Sequence, residues 1–311
     1  MKWKKQGLIY AIDGTHKWMC SHAQVPLADP VSPDIVRIYY GTRDSKNRTL
    51  TTFIDVEAEN PRNILYVHDK PVLELGALGT FDENGVMPSW IVDHEGRKYL
   101  YYIGWNIGAT VRYRLSIGLA VSDDGGRTFA RLFDGPIFER SHIDPYFVSN
   151  PAILIDNGVW KMWYMSCTRW VEREGLTEPY YHIRYATSSD GINWKADGTV
   201  CIDYKNAEEC GIARPFVMLE NGVYKLWYCY RGISEYRTNL KQSYRIGYAE
   251  SPNGIDWKRM DEQAGIDIST HDWDSEMVAY PYIYDSKDQR IMLYNGNGFG
   301  KSGFGYALLQ T

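Results

Sequence analysis

A proline-anchored unit recurs along this chain at a period that leaves little room for anything else. Pro88-Ser-Trp-Ile-Val-Asp leads into Tyr99-Leu-Tyr-Tyr-Ile-Gly, and Pro151-Ala-Ile-Leu-Ile-Asp into Trp160-Lys-Met-Trp-Tyr-Met. Pro215-Phe-Val-Met-Leu-Glu leads into Tyr224-Lys-Leu-Trp-Tyr-Cys, and Pro281-Tyr-Ile-Tyr-Asp into Ile291-Met-Leu-Tyr-Asn-Gly. A weaker first copy runs from Pro26-Leu-Ala-Asp to Ile38-Tyr-Tyr-Gly. The anchor prolines follow one another at intervals of 62, 63, 64 and 66 residues. Five such units fill 311 residues, so a division into two domains is excluded.

Each unit continues in the same way. Third strands are expected at Ser116-Ile-Gly-Leu-Ala-Val-Ser, His182-Ile-Arg-Tyr-Ala-Thr-Ser and Tyr244-Arg-Ile-Gly-Tyr-Ala-Glu-Ser. Turns follow at Asp123-Asp-Gly-Gly-Arg-Thr-Phe129, Ser189-Asp-Gly-Ile-Asn-Trp194 and Pro252-Asn-Gly-Ile-Asp-Trp257. Asp-Gly and Asn-Gly supply the positive φ of a tight hairpin, and the aromatic that follows opens a fourth strand. Eleven Trp, 25 Tyr and 9 Phe, with 28 Gly and 13 Pro, suit short twisted strands and tight turns. No long stretch carries helical periodicity. The fold class expected is all-β: a single five-bladed β-propeller with four antiparallel strands per blade. Its blades lie near 20–70, 82–134, 144–202, 209–262 and 275–311. The last blade lacks a fourth strand. Trp3-Lys-Lys matches the fourth-strand openings Trp194-Lys-Ala and Trp257-Lys-Arg, so residues 2–10 are expected to close it and remove an open edge.

Net charge of −5 argues against a nucleic-acid partner. No apolar run approaches the roughly 18 residues of a membrane span. The basic start lacks the apolar stretch of a signal peptide, and the five cysteines have no paired spacing. These features are read as a reduced, cytoplasmic setting with no zinc site, no cofactor and no obligate protein partner.

Topology places the candidate site. The start of each first strand and the end of each second strand meet on one rim, beside long connections near 104–115, 166–182 and 231–244. Preceding the first strands are His22 with Gln24, Asp82, Asp144, Glu209 with Arg214, and Asp274 with Glu276. Following the second strands are Arg43 with Asp44, Trp105 with Asn106, Arg169 with Trp170, Arg231, and Asn295. Acids recur at one phase of the repeat and are expected to converge on the channel. Glycoside cleavage uses one protonated acid and one ionised carboxylate, and crowded carboxylates separate their pKa values to fill both roles. Arg43, Arg169, Arg214 and Arg231 suggest an anionic sugar, since guanidinium forks hold carboxylates and phosphates.

The repeat, its blade-opening acids and the Ser-Asp-Gly-x-x-Trp turn resemble the five-bladed propeller glycosidases, the superfamily of glycoside hydrolase families 32, 43, 62, 68 and 130. Phe81-Asp-Glu-Asn-Gly-Val-Met-Pro88, Tyr101-Tyr-Ile-Gly-Trp-Asn106, Ile212-Ala-Arg-Pro215 and Tyr294-Asn-Gly-Asn-Gly298 also look like the uncharacterised glycosyl hydrolase proteins of bacterial surface-polysaccharide gene clusters. The resemblance covers the whole chain and implies a carbohydrate ligand. Family 43 enzymes take a base Asp from blade one, a tuning Asp from a middle blade and an acid Glu from a later one. This chain departs from that pattern, with His22 and Gln24 where the base would stand and Asp44 as the nearest acid. The resemblance therefore implies Asp82 as base, Asp144 as tuner and Glu209 as acid. Two alternatives stay open: a carbohydrate-binding propeller without catalysis, and a phosphorylase or transferase that uses the rim arginines.

Most aromatics have a plainer reading. Trp163-Tyr164 and Trp227-Tyr228 fit packing between blades, and the Asp-Gly turns are structural devices. An acid before a strand can equally serve backbone N–H groups or a neighbouring Arg.

Overall fold

The computed structural model describes residues 1–173 and 175–310. Strand β1, Trp3–Tyr10, is followed by five runs of antiparallel strands. The first unit is β2 (Ser21–Ser32), β3 (Ile35–Arg43), β4 (Thr49–Glu57) and β5 (Ile64–Val67). The second is β6 (Gly85–His94), β7 (Arg97–Ile107), β8 (Tyr113–Ser122) and β9 (Ala130–Arg131). The third is β10 (Val148–Asp156), β11 (Val159–Arg173), β12 (Leu176–Ser188) and β13 (Val200–Ile202). The fourth is β14 (Glu209–Glu220), β15 (Val223–Gly232), β16 (Arg245–Ser251) and β17 (Lys258–Arg259). The fifth is β18 (Ala279–Ser286), β19 (Gln289–Asn295) and β20 (Phe304–Leu309). The chain is all-β, and helix among the described residues is confined to short turns at 261–263 and 297–300.

Pairing within each unit follows chain order, and β1 pairs with β20 from Trp3↔Leu309 to Tyr10↔Phe304. Single parallel contacts, Thr49↔Gly85 and Tyr181↔Gly211, link the first unit to the second and the third to the fourth. The first strands touch in series, β2 to β6, β6 to β10, β10 to β14 and β14 to β18, and β18 returns to β2.

Between units lies an aromatic core. Trp163, Trp227, Tyr39 and Tyr101, all on second strands, are fully buried. Three of them reach the Gly carbonyl in the tight turn of the next unit. The Tyr39 hydroxyl donates to Gly126 at 2.7 Å, the Tyr101 hydroxyl to Gly191 at 2.8 Å, and Trp163 Nε1 to Gly254 at 2.7 Å. The turns themselves close on their own side chains. Ser188 Oγ receives the Gly191 N–H, and Asp190 receives those of Ile192 and Asn193.

Two local expectations are corrected. Residues 166–173 and 176–182 form no loop: they extend β11 and β12 into a hairpin paired as far as Arg173↔Leu176. Trp194 opens no strand. Its indole N–H returns to the Gly191 carbonyl at 3.1 Å, and β13 starts only at Val200.

Candidate functional site

Every first strand loses register at its anchor proline, because proline has no N–H to give to the ladder. In four units the preceding residue takes a left-handed conformation: Val25 (φ 56), Asn150 (φ 49), Arg214 (φ 53) and Tyr280 (φ 57). Such bulges re-aim side chains, and strained non-glycine residues of this kind gather at functional sites. Val25, Asn150 and Tyr280 line a cavity of about 490 Å³ to which all five units contribute.

The cavity wall is basic and phenolic. Arg43, Arg112 and Arg237 line it, and no Asp or Glu does among the described residues. Arg43 donates to Asn47 Oδ1 at 3.1 Å and to Gln24 Oε1 at 3.3 Å, while its buried Nε has no partner. Burial pushes its pKa down, as expected of a cation without a counter-charge. Arg112 and Arg237 share one carboxylate behind the wall, Glu178 on β12, at 3.1 and 2.7 Å. The Tyr236 hydroxyl holds the other oxygen of Glu178 at 2.7 Å. Burial opposes ionisation of Glu178, but the hydrogen bonds from Arg237 and Tyr236 hold its pKa below the ordinary carboxylate range.

Beneath Tyr236, at 3.8 Å from its ring centre, lies the guanidinium of Arg231, a residue only 1% exposed. Its hydrogen-bond partners are all formally neutral: Tyr181 Oη, Cys210 Sγ and the carbonyls of Gly232 and Pro179. Two further phenols, Tyr113 and Tyr280, also line the cavity, and burial raises the pKa of both. At neutral pH the walls are therefore cationic and rich in O–H donors. Trp105, Phe299, Met87 and Met165 supply apolar faces beside them.

The structure places the blade-opening acids elsewhere. Asp82 Oδ2 accepts from the Tyr102 hydroxyl at 2.9 Å and from Arg131 Nε at 2.7 Å. Asp144 is held by Tyr164 at 2.9 Å, Ser166 at 2.5 Å and Arg184 at 3.1 Å. Glu209 is gripped by both terminal nitrogens of Arg259, at 2.7 and 3.0 Å. Asp274 accepts from Tyr294 at 2.9 Å and Lys5 at 2.7 Å. The expected convergence is thus corrected. Each acid sits where the chain crosses a unit toward its first strand, and it ties that crossing to later strands of the same unit. None of them lines the cavity.

Among the other candidates, Arg43 and Trp105 line the cavity. Arg214 is fully buried and donates to the Ser89 carbonyl at 2.6 Å, not to Glu209, and burial lowers its pKa to about 10. Arg231 lies behind the wall. Asp44 closes its own loop by accepting the backbone N–H groups of Lys46 and Arg48. Asn106 ties to the Thr80 carbonyl and to Glu83. Arg169 is exposed, 4.2 Å from the Tyr180 ring centre, and Trp170 packs on Tyr113 and Phe147. Glu276 is exposed. Asn295 receives the Val25 N–H at 2.7 Å and donates to the Ala23 carbonyl, joining the fifth unit to the first. His22 bonds Ser21 Oγ at 2.8 Å, and burial, with Arg43 and Lys301 nearby, lowers its pKa to about 4.

Sequence reading missed Arg112, Arg237, Glu178 and the phenols around them. The available signal was the adjacent Arg112-Tyr113 and Tyr236-Arg237 pairs between second and third strands.

Over 311 residues the chain is 38% identical to the uncharacterized protein Rv1502 of Mycobacterium tuberculosis strain H37Rv, covering 100% of each. It matches the uncharacterized protein MT1551 of the CDC 1551 strain to the same identity and coverage. The chain is a member of their family. No protein-family model matches it. Its fold is like that of solved glycoside hydrolases. It superposes with TM-score 0.72 on BT0996 from an RGII complex, at 16% identity, covering 98% of this chain and 90% of that one. A thermostable family-43 glycoside hydrolase gives TM-score 0.64 at 17% identity over 93% and 88% of the two chains. A protein from a study of glycoside hydrolases in the family-130 mannoside phosphorylases gives 0.66 at 14% identity, over 99% and 93%.

Proposed function

We propose that the five units are the blades of a closed five-bladed propeller, and that its central cavity holds an acidic carbohydrate by the acid group. The serial contacts of the first strands, and the pairing of β1 with β20, support closure. One observation carries the ligand class: among the described residues, three arginines and no carboxylate line the cavity. A planar guanidinium holds a carboxylate or phosphate in a fork, and charge-assisted bonds of this kind are about twice as strong as neutral ones. The fold of glycoside hydrolases supports a sugar as the remainder of the ligand, a piece of a bacterial glycan or its precursor. Hydrolysis by paired carboxylates needs two carboxyl groups about 5–9.5 Å apart across the bond. The cavity walls do not offer them, which favours a second reading, binding of an acidic sugar without cleavage.

Calorimetry distinguishes these ideas from a neutral-sugar site. Glucuronate and glucose 1-phosphate are expected to bind at least about tenfold tighter than glucose, a difference of about 1.4 kcal/mol. Arg112→Ala with Arg237→Ala is expected to erase the preference. Equal affinity for charged and neutral sugars would overturn the assignment.

A further inference from the structure

The cavity wall carries a phenol pair backed by a buried cation. Tyr181 and Tyr244 both line the cavity and are bonded hydroxyl to hydroxyl. Arg231 Nε donates to Tyr181 Oη at 2.9 Å. Two hydroxyls own two protons, and one of these lies in the bond between them. Arginine is donor-only, so it fills a lone pair on Tyr181 and takes no proton from it. The second proton has no acceptor in the protein among the described residues. The position of Arg231 decides which oxygen carries it. A cation beside Tyr181 makes that hydroxyl the better donor of the two, so Tyr181 donates to Tyr244, and the Tyr244 O–H is left for the cavity. Serial donation from Arg231 through Tyr181 strengthens that last donor, because each bond polarises the next.

We propose that Tyr244 is the proton donor to the leaving oxygen of an acidic sugar's glycoside bound in this cavity, with Tyr181 and Arg231 as the groups that polarise it. The proposal rests on the acidic-sugar reading above. In the step, the bond between the sugar's anomeric carbon and the leaving oxygen breaks. Its electron pair stays on that oxygen, which takes the Tyr244 proton. Tyr244 is refilled from Tyr181, and the negative charge comes to rest on the Tyr181 oxygen against Arg231. Water adds to the anomeric carbon, and the proton it sheds returns through Tyr244 to Tyr181. The balance is hydrolysis, with protein and water the only reactants besides the glycoside.

Leaving-group dependence tests this. The probes are the methyl and 2,4-dinitrophenyl glycosides of glucuronate and galacturonate, in both anomers. Tyr244→Phe is expected to slow the methyl glycoside by about 10²-fold or more, the usual contribution of general-acid catalysis. It is expected to slow the dinitrophenyl glycoside by less than about threefold, because that leaving group departs without a proton. Glucuronate affinity is expected to stay within about twofold, since the three arginines are untouched. If Tyr244→Phe does not fold, Tyr181→Phe keeps the donor but cuts its link to Arg231. It is then expected to slow the methyl glycoside by about tenfold and to spare the dinitrophenyl one. Equal losses on both leaving groups, or a loss of glucuronate binding, would overturn the proposal. Glucuronate binding with no turnover of any probe would overturn it too, and would leave the acidic-sugar reading intact. No binding of glucuronate or glucose 1-phosphate removes both.

Discussion

Asp82, Asp144 and Asp274 each accept a hydroxyl from a tyrosine 20 residues further on, and each also meets a basic side chain from a later strand of its unit. In the fourth unit the Tyr228 hydroxyl meets Asp261, and Arg259 joins Asp261 to Glu209. Breaking a buried pair leaves an uncompensated charge at a cost of about 3–5 kcal/mol. Asp82→Ala is therefore expected to lower unfolding free energy by roughly 3 kcal/mol in denaturant titrations. Glucuronate affinity is expected to remain within about twofold, because Asp82 does not touch the cavity. His22 gives a second prediction at this scale. Its folded pKa of about 4 lies below its ordinary 6.5, so between those values the unfolded state holds more protons. Stability is expected to rise with pH across that window through this residue. His22→Gln is expected to flatten that part of the curve in melts recorded from pH 4 to 7.

At the scale of elements, the second strand of one unit fastens to the turn of the next. Trp227 shows what happens when the turn is missing. Among the described residues the fifth unit shows no such turn and the buried indole N–H of Trp227 has no partner, while Trp3 of β1 packs edge-on at 6.5 Å. Because Trp3 is 5% exposed and belongs to the strand that completes the fifth unit, Trp3→Ala is expected to cost about 3–5 kcal/mol. Deleting residues 2–10 is expected to expose the β20 edge and give concentration-dependent association on size exclusion, since unpaired edges recruit other strands. Most of this layer is legible in the sequence. Anchor prolines, paired aromatics and Asp-Gly turns recur because every unit makes the same backbone demands. Where copies diverge, the reading fails. Trp194 folds back on its own turn, and the connection expected at 166–182 is, over 166–173 and 176–182, a continuation of the second and third strands.

For the whole molecule, the same logic explains why the site was harder to read. An acid repeated before the first strand of nearly every unit serves what the units share, which is architecture. The acids obeyed that rule and proved to be ties within units. Arg43, Arg112 and Arg237 make the cavity wall cationic in a protein whose net charge is −5, and Glu178 holds the last two in place. Their positions follow from how the segments after different second strands meet over the cavity, and spacing along the sequence does not encode that meeting. Overall charge would repel an acidic ligand at long range and salt would screen the repulsion, whereas the local arginines attract it. A crystal structure of the protein soaked with glucuronate decides the matter most directly. The carboxylate should lie within hydrogen-bond distance of Arg112 and Arg237, with the sugar ring against the apolar wall near Trp105. A carboxylate turned to solvent, or a sugar seated over Asp82 and Asp144 instead, would contradict it.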